Sequence, residues 1–222
     1  MEENTIEMDK SFSKSLSKFI YLFIKRLFDI ICSLIGCIFL IPIAILVKIC
    51  YIFSGDFKSI FYSHERIGKN GKIFKLYKFR SMVPNADLVL EKLLKDEEIK
   101  EKYKKNMKLD NDPRITKVGK IIRKTSIDEM PQFINVLVGD MSLIGNRPYL
   151  PREREDMGNY FDMIVSSKPG ITGYWQTAGR SNVDFKSRLK LESYYSEHMN
   201  ILFDIKIFFK TFSVVLFGRG AQ

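Results

Sequence analysis

From Ile30 to Val47 the sequence carries no charged residue. A run of 18 residues of this kind constrains the chain severely, because about 18 apolar residues is the length at which a helix becomes a membrane candidate. It is not a cleaved secretion signal. It begins late, its flank reads Lys25-Arg26-Leu27-Phe28-Asp29, and no small-x-small cleavage site follows. Pro42 sits well inside the run, where it removes a backbone donor and crowds the preceding turn. The pieces on either side are roughly 15 and 12 residues, or about 22 and 18 Å of helix. Neither alone crosses a hydrocarbon core of about 30 Å. Basic residues flank both ends: Lys10, Lys14, Lys18, Lys25 and Arg26 before, and Lys48, Lys58, Arg66, Lys69 and Lys72 after. Basic flanks favour the cytoplasmic side. The expectation is a helix that enters the inner leaflet, bends near Pro42 and returns, with one kinked spanning helix as the alternative.

Composition narrows the function. The 222 residues include 36 Lys and Arg against 26 Asp and Glu, a formal charge of +10. Such a surplus points to an anionic partner: nucleic acid, phosphorylated small molecules or an acidic lipid surface. Hydrophobic residues at 45% exclude wholesale disorder. Cys32, Cys37 and Cys50 all fall in the apolar stretch, which argues against a disulfide framework. His64 and His198 are remote from each other and from the cysteines, so a zinc ligand set is not expected. There is no Walker A sequence and no G-x-G-x-x-G, which excludes the usual P-loop and dinucleotide folds.

The pattern divides the chain into a basic amphipathic lead-in over 1–24, the membrane helix over 25–56 and a catalytic domain over 57–222. Residues 57–80 read as a β-hairpin, with basic and apolar residues alternating from Lys72 to Phe79 after an Asn70-Gly71 turn. Leu90, Leu94, Ile99, Tyr103 and Met107 predict one solvated amphipathic helix across 85–108. The stretch Ile201–Phe217 fits a core helix, or a helix in the lipid interface with its lysines reaching head groups.

Chemistry concentrates around Ser126-Ile127-Asp128-Glu129-Met130-Pro131-Gln132. Ser126 and Glu129 have capping-box spacing, though Pro131 argues for a later helix start. An ionised aspartate can attack phosphorus, and a neighbouring glutamate can hold Mg²⁺ together with substrate phosphates. An Asp-Glu pair alone is a weak signal, but its neighbours are cationic. Arg123 and Lys124 precede it, and Arg147 and Arg180 follow beside Gly145 and Gly179. Lys168-Pro169-Gly170-Ile171-Thr172-Gly173 could present backbone donors to an anion. Forked donors of this kind suit a diphosphate. Asp110 and Asp112 could instead hold a metal–nucleotide, although an ordinary turn explains them better. Trp175 is either a packing anchor or a stacking surface for a base or sugar.

Together these pieces resemble the bacterial sugar transferase family of monotopic phosphoglycosyl transferases. The resemblance is carried by Lys25-Arg26-x-x-Asp29, Tyr77-Lys78-Phe79-Arg80-Ser81-Met82, Asp112-Pro113-Arg114-Ile115-Thr116, Arg123-x-x-Ser126-Ile127-Asp128-Glu129-Met130-Pro131-Gln132, Gly139-Asp140-Met141-Ser142, Lys168–Gly173 and Gly179-Arg180-Ser181. It implies an α+β membrane-associated fold with a re-entrant membrane helix, interfacial amphipathic helices and a helix-associated β-hairpin. It implies transfer of a sugar phosphate from a UDP-sugar to undecaprenyl phosphate, with UMP released, at the cytoplasmic face of the bacterial inner membrane in surface polysaccharide synthesis. Asp128 falls on the family nucleophile and Glu129 on the Mg²⁺ ligand. Lys78, Arg123, Arg147 and Arg180 fall on substrate-binding positions. Nucleic acid is not implied as a partner, and a homodimer is left open. The tail Tyr174-Trp175-Gln176-Thr177 and Phe185-x-x-Arg188-Leu189-x-Leu191 resembles members that handle galactose or glucose. Larger members carry N-terminal membrane domains, which are not expected here. Two departures stand out. Ile41-Pro42 replaces a Ser-Pro break, and Asn146 replaces a proline before Arg147, which predicts a looser turn there and a weaker assignment for Arg147.

Overall fold

The computed structural model describes residues 2–106, 109, 112–178 and 183–216. Its helices and strands run α1 (Glu2–Phe53), β1 (Phe61–Ile67), β2 (Ile73–Phe79), α2 (Ala86–Leu93), α3 (Glu97–Asn106), α4 (Lys117–Lys124), α5 (Gln132–Val138), β3 (Ser142–Ile144), α6 (Arg154–Met157), α7 (Phe161–Val165), β4 (Gly170–Thr172), α8 (Tyr174–Ala178), α9 (Phe185–His198) and α10 (Ile201–Leu216). The fold is mixed helix and sheet, with one long apolar helix at its N-terminal end.

That helix continues through Pro42. From Tyr21 to Tyr51, roughly 45 Å at about 1.5 Å per residue, it presents one stripe to the rest of the chain. Tyr21, Asp29, Ser33, Leu40, Val47 and Tyr51 are buried along it, at the three- and four-residue spacing of a single helix face. Polar residues of the stripe act as clasps. The Asp29 carboxylate accepts from Ser142 Oγ at 3.0 Å and from the Leu143 N–H at 2.8 Å. Arg26 donates to the last carbonyls of α5, Val136 O at 2.7 Å and Leu137 O at 2.9 Å, which a helix C-terminus otherwise leaves open. Lys25 and Tyr21 both reach Asp204 of α10, at 2.5 and 2.9 Å. Gly36 lets α1 approach α5, since a β-carbon there would lie 2.5 Å from the Phe133 ring.

The remaining faces of α1 are apolar and uncovered. Nineteen large apolar side chains between Leu16 and Phe53 are exposed. At about 1.5–3 kcal/mol for each one hidden from water, leaving them wet would cost tens of kcal/mol, against a net stability of about 5–15. Such a surface belongs in lipid. Leu202, Ile205 and Phe209 of α10 are likewise exposed, while Asp204 and Ile207 point inward. The core reading therefore holds for the inward face of that helix, and its outward face is apolar and uncovered.

β1 and β2 pair antiparallel, with Tyr62 opposite Lys78 and His64 opposite Leu76. Asn70 and Gly71 take positive φ in the connection, 56° and 78°. The expected single helix over 85–108 is two. Asp96 accepts from the Glu98 and Ile99 N–H groups at 2.9 and 3.2 Å, so it caps a fresh helix start instead of extending the first. β3 and β4 pair in parallel, and their core joins Phe74, Leu76, Val136, Met141, Tyr195 and Ile207.

Asp29→Ala leaves two buried donors without an acceptor, and each such loss costs about 1–3 kcal/mol. The variant in nanodiscs is expected to lose about 2–4 kcal/mol of stability in thermal or denaturant unfolding. An unchanged transition would contradict the clasp.

Candidate active site

The site forms where β2, the end of α4 and the start of α5 meet. α4 begins at Thr116, whose hydroxyl accepts from the Gly119 N–H at 2.8 Å, and it ends at Lys124. Ser126 then adopts the left-handed region at φ 56° and caps nothing with its side chain, so the capping box expected there does not form. A single 3₁₀ turn over Ile127–Glu129 follows, and α5 starts only after Pro131. This tight turn sets Asp128 and Glu129 side by side. Their position relative to β2 is fixed by Asn135, which is fully buried. Its side chain accepts from the Tyr77 N–H at 2.9 Å and donates to Lys75 O at 2.7 Å, taking the place of a third strand along the open edge of β2.

Lys78 consequently meets the carboxylate pair, with its Nζ 3.1 Å from Glu129 Oε1. Asp128 is buried and its carboxyl is pushed up, chiefly by desolvation and also by Glu129, with Lys78 and Arg123 pulling the other way. Glu129 goes down instead. Burial would raise it, but the charge and hydrogen bond of Lys78, helped by Arg147 and Gln132, outweigh that. The two acids are thereby driven apart, a pattern typical of a working site: Glu129 held as an anion, Asp128 more basic than an ordinary aspartate.

Of the sequence candidates, Asp128, Glu129 and Lys78 are in direct proximity. Arg123 is exposed at the end of α4 and acts electrostatically on Asp128. Arg147 lies within electrostatic reach of Glu129. Arg180 and Asp110 lie outside the described residues.

Two expectations are corrected. The turn at Asn146 is not loose. The Asn146 side chain is buried and donates to Ile164 O at 3.0 Å and Ser196 Oγ at 2.6 Å, which holds the residue before Arg147 in place. The Lys168–Gly173 segment is not an anion cradle, because its polar backbone is used in the sheet: Gly170 N–H donates to Asn146 O and Thr172 O accepts from Gly145. Its glycines serve close strand approach, as a β-carbon at Gly170 would fall 2.1 Å from Gly145 N. Asp112 sits in the turn preferred for it, its carboxylate accepting from the Arg114 N–H at 3.0 Å. Its carboxylate is buried and bound by the Arg114 side chain at 2.6–3.1 Å.

Sequence reasoning missed a second cluster beside the first. His64 and Arg66 share a face of β1 with Tyr62, and Arg66 Nε donates to His64 Nε2 at 2.7 Å. Burial, reinforced by Arg66, Lys78 and Arg147, depresses His64 to about 3, so it stays a neutral acceptor. Arg188 of α9 lies 4.6 Å over the Trp175 ring, which makes that tryptophan a packing anchor. Alternation along β1 could have grouped Tyr62, His64 and Arg66. The rest depends on long-range packing.

The profile of the bacterial sugar transferase family matches residues 20–218. The chain belongs to that family. It is 46% identical over 200 residues to the undecaprenyl-phosphate galactose phosphotransferase of Salmonella typhimurium, covering 90% of this chain and 42% of that protein. It is 44% identical to the galactosyl transferase CpsE of Streptococcus agalactiae, covering 96% of this chain and 46% of CpsE. The chain thus spans less than half the length of these two relatives. It is 40% identical to the exopolysaccharide production protein ExoY of Sinorhizobium fredii, covering 89% of this chain and 87% of ExoY. Sugar transferase membership accords with a site that gathers a carboxylate pair and several cations.

Lys78→Met removes the charge that lowers both acids. In a ¹³C carboxyl titration the Glu129 midpoint is expected to rise out of its depressed range and the Asp128 midpoint to rise further. Unmoved midpoints would contradict the pairing.

Proposed function

We propose that this chain transfers a hexose-1-phosphate, galactose or glucose, from a UDP-sugar to undecaprenyl phosphate, as an early step of surface polysaccharide or glycoconjugate synthesis. The observation that carries the reading is the Asp128–Glu129 turn held against Lys78, with a carboxylate raised in basicity beside one kept ionised. In the first half-reaction Asp128 attacks the sugar-bearing phosphorus. The bond from that phosphorus to the bridging oxygen breaks, and UMP leaves with the electron pair. In the second, an oxygen of polyprenyl phosphate attacks the same phosphorus and the aspartyl carboxylate is regenerated. Lys78, Arg123, Arg147 and Arg180 offset the charge of the donor diphosphate.

Mg²⁺ fits this site in one way. Among the described residues no group of three His, Cys, Asp or Glu side chains could hold a metal. Glu129 keeps 38% of its side chain exposed, and Mg²⁺ is commonly held by one or two carboxylates plus substrate phosphates. Glu129 would therefore hold it jointly with the donor, and the ion would supply charge neutralisation at the diphosphate.

The membrane arrangement is part of the proposal. α1, helical throughout, enters and leaves the inner leaflet through a kink at Pro42, where proline removes a backbone hydrogen bond, with the catalytic domain on the cytoplasmic face. What supports this is the clasped stripe on both sides of Pro42. Lys25 reaches Asp204 near one end, and the buried Tyr51 hydroxyl donates to Arg80 O near the other. A span would instead carry one end to the opposite side of the bilayer. Such a helix keeps the water-soluble donor and the lipid phosphate at the same depth.

With UDP-galactose or UDP-glucose, undecaprenyl phosphate and Mg²⁺, the expected product nucleotide is UMP. Asp128→Asn is expected to lower the rate by roughly three or more orders of magnitude. Release of UDP would point to a glycosidic-bond-forming enzyme, and full activity in the variant would end the scheme.

A further inference from the structure

The loop that carries Arg147 has no regular structure, yet it is held from three sides. α9 holds it through two side chains one helical turn apart. Ser196 Oγ accepts from Asn146 Nδ2 at 2.6 Å, and Glu192 Oε1 accepts from the Arg147 N–H at 2.9 Å. From β1, Arg66 donates to Pro148 O at 2.9 Å, and the Ile67 N–H donates to Tyr149 O at 2.8 Å. α7 supplies Ile164 O to Asn146 at 3.0 Å.

Glu192 is the unexpected member. It is 1% exposed, and a carboxylate taken out of water costs several kcal/mol unless it is paired. Burial raises it, while Tyr149, the Arg147 N–H and the charges of Arg147 and Arg188 favour its anion. A neutral acceptor would satisfy the N–H more cheaply. What the carboxylate adds is a strong acceptor, carried on a rigid helix, for the N–H that orients the Arg147 backbone.

We propose that Glu192 is a positioning residue: with Ser196 it clamps the Asn146-Arg147 pair, so that the Arg147 guanidinium is held toward Glu129 and the donor's phosphates. The clamp itself is a matter of geometry, and only the role of Arg147 rests on the phosphoglycosyl transfer reading. Arg147 and Arg188, the latter stacked on Trp175, are the nearby positive charges that favour the buried carboxylate.

The test uses the full chain in nanodiscs and reads amide exchange across 143–150 alongside kcat/KM for UDP-galactose and UDP-glucose. Glu192→Leu is expected to speed exchange at Arg147 about tenfold or more. It is expected to lower kcat/KM about as far as Arg147→Ala does, and the double variant should be no worse than Arg147→Ala alone. Losses that multiply, unchanged exchange, or an Arg147→Ala protein with full activity would each overturn the proposal. Ser196→Ala covers the case of a misfolded Glu192→Leu. It should give a loss of about threefold that vanishes in the Arg147→Ala background, and a loss that persists there would overturn the clamp. If neither sugar nucleotide is a substrate, the transfer reading fails while the exchange result still decides the clamp.

Discussion

Two hydrogen bonds from the buried Asn135 side chain tie α5 to the open edge of β2. The rest of the site depends on them. β2 carries Lys78, and the 3₁₀ turn just before α5 carries Asp128 and Glu129. An apolar residue at 135 could fill the same volume, but it would leave the Tyr77 N–H and Lys75 carbonyl unpaired and the register of turn against strand undefined. α5 is in turn seated on the membrane helix by Gly36 against Phe133 and by Arg26 at its C-terminal carbonyls. A short path of packed groups therefore links lipid-facing helix to reacting carboxylate.

That path explains how one helix serves two solvents. Its buried stripe combines polar or small residues, Tyr21, Lys25, Asp29, Ser33, Gly36 and Tyr51, with the apolar Leu40 and Val47 that join the domain core. Its other faces carry Phe, Leu and Ile. Burying polar clasps is economical only because each finds a partner, so the stripe is specific where the lipid-facing surface need only be greasy.

Much of this was legible in the sequence, and what was not has physical causes. The hairpin showed in its alternation and in Asn70-Gly71, and the candidate site in Asp128-Glu129 beside basic residues. Features set by distant partners stayed hidden. Arg188 and Glu192, four residues apart on α9, look like a solvated helical pair, yet one packs on Trp175 and the other is buried under the Arg147 loop. The glycines of Lys168–Gly173 suggested an anion turn, whereas sheet pairing with β3 uses their backbone. Asn146 looked like a weakness, and its amide proves to be a strut. The single helix expected over 85–108 is broken where Asp96 caps a new start. In each case the residue type was compatible with both readings, and only its tertiary partner decided between them.

The central claim is covalent: an aspartate in a tight turn takes the sugar phosphate before the lipid does. Intact-protein and peptide mass spectrometry of the chain quenched with UDP-hexose, in the absence of polyprenyl phosphate, tests it most directly. The account predicts one added hexose phosphate on the peptide containing Asp128, lost when the lipid phosphate is supplied and absent in Asp128→Asn. An unmodified Asp128 peptide under conditions where the complete reaction turns over would contradict it.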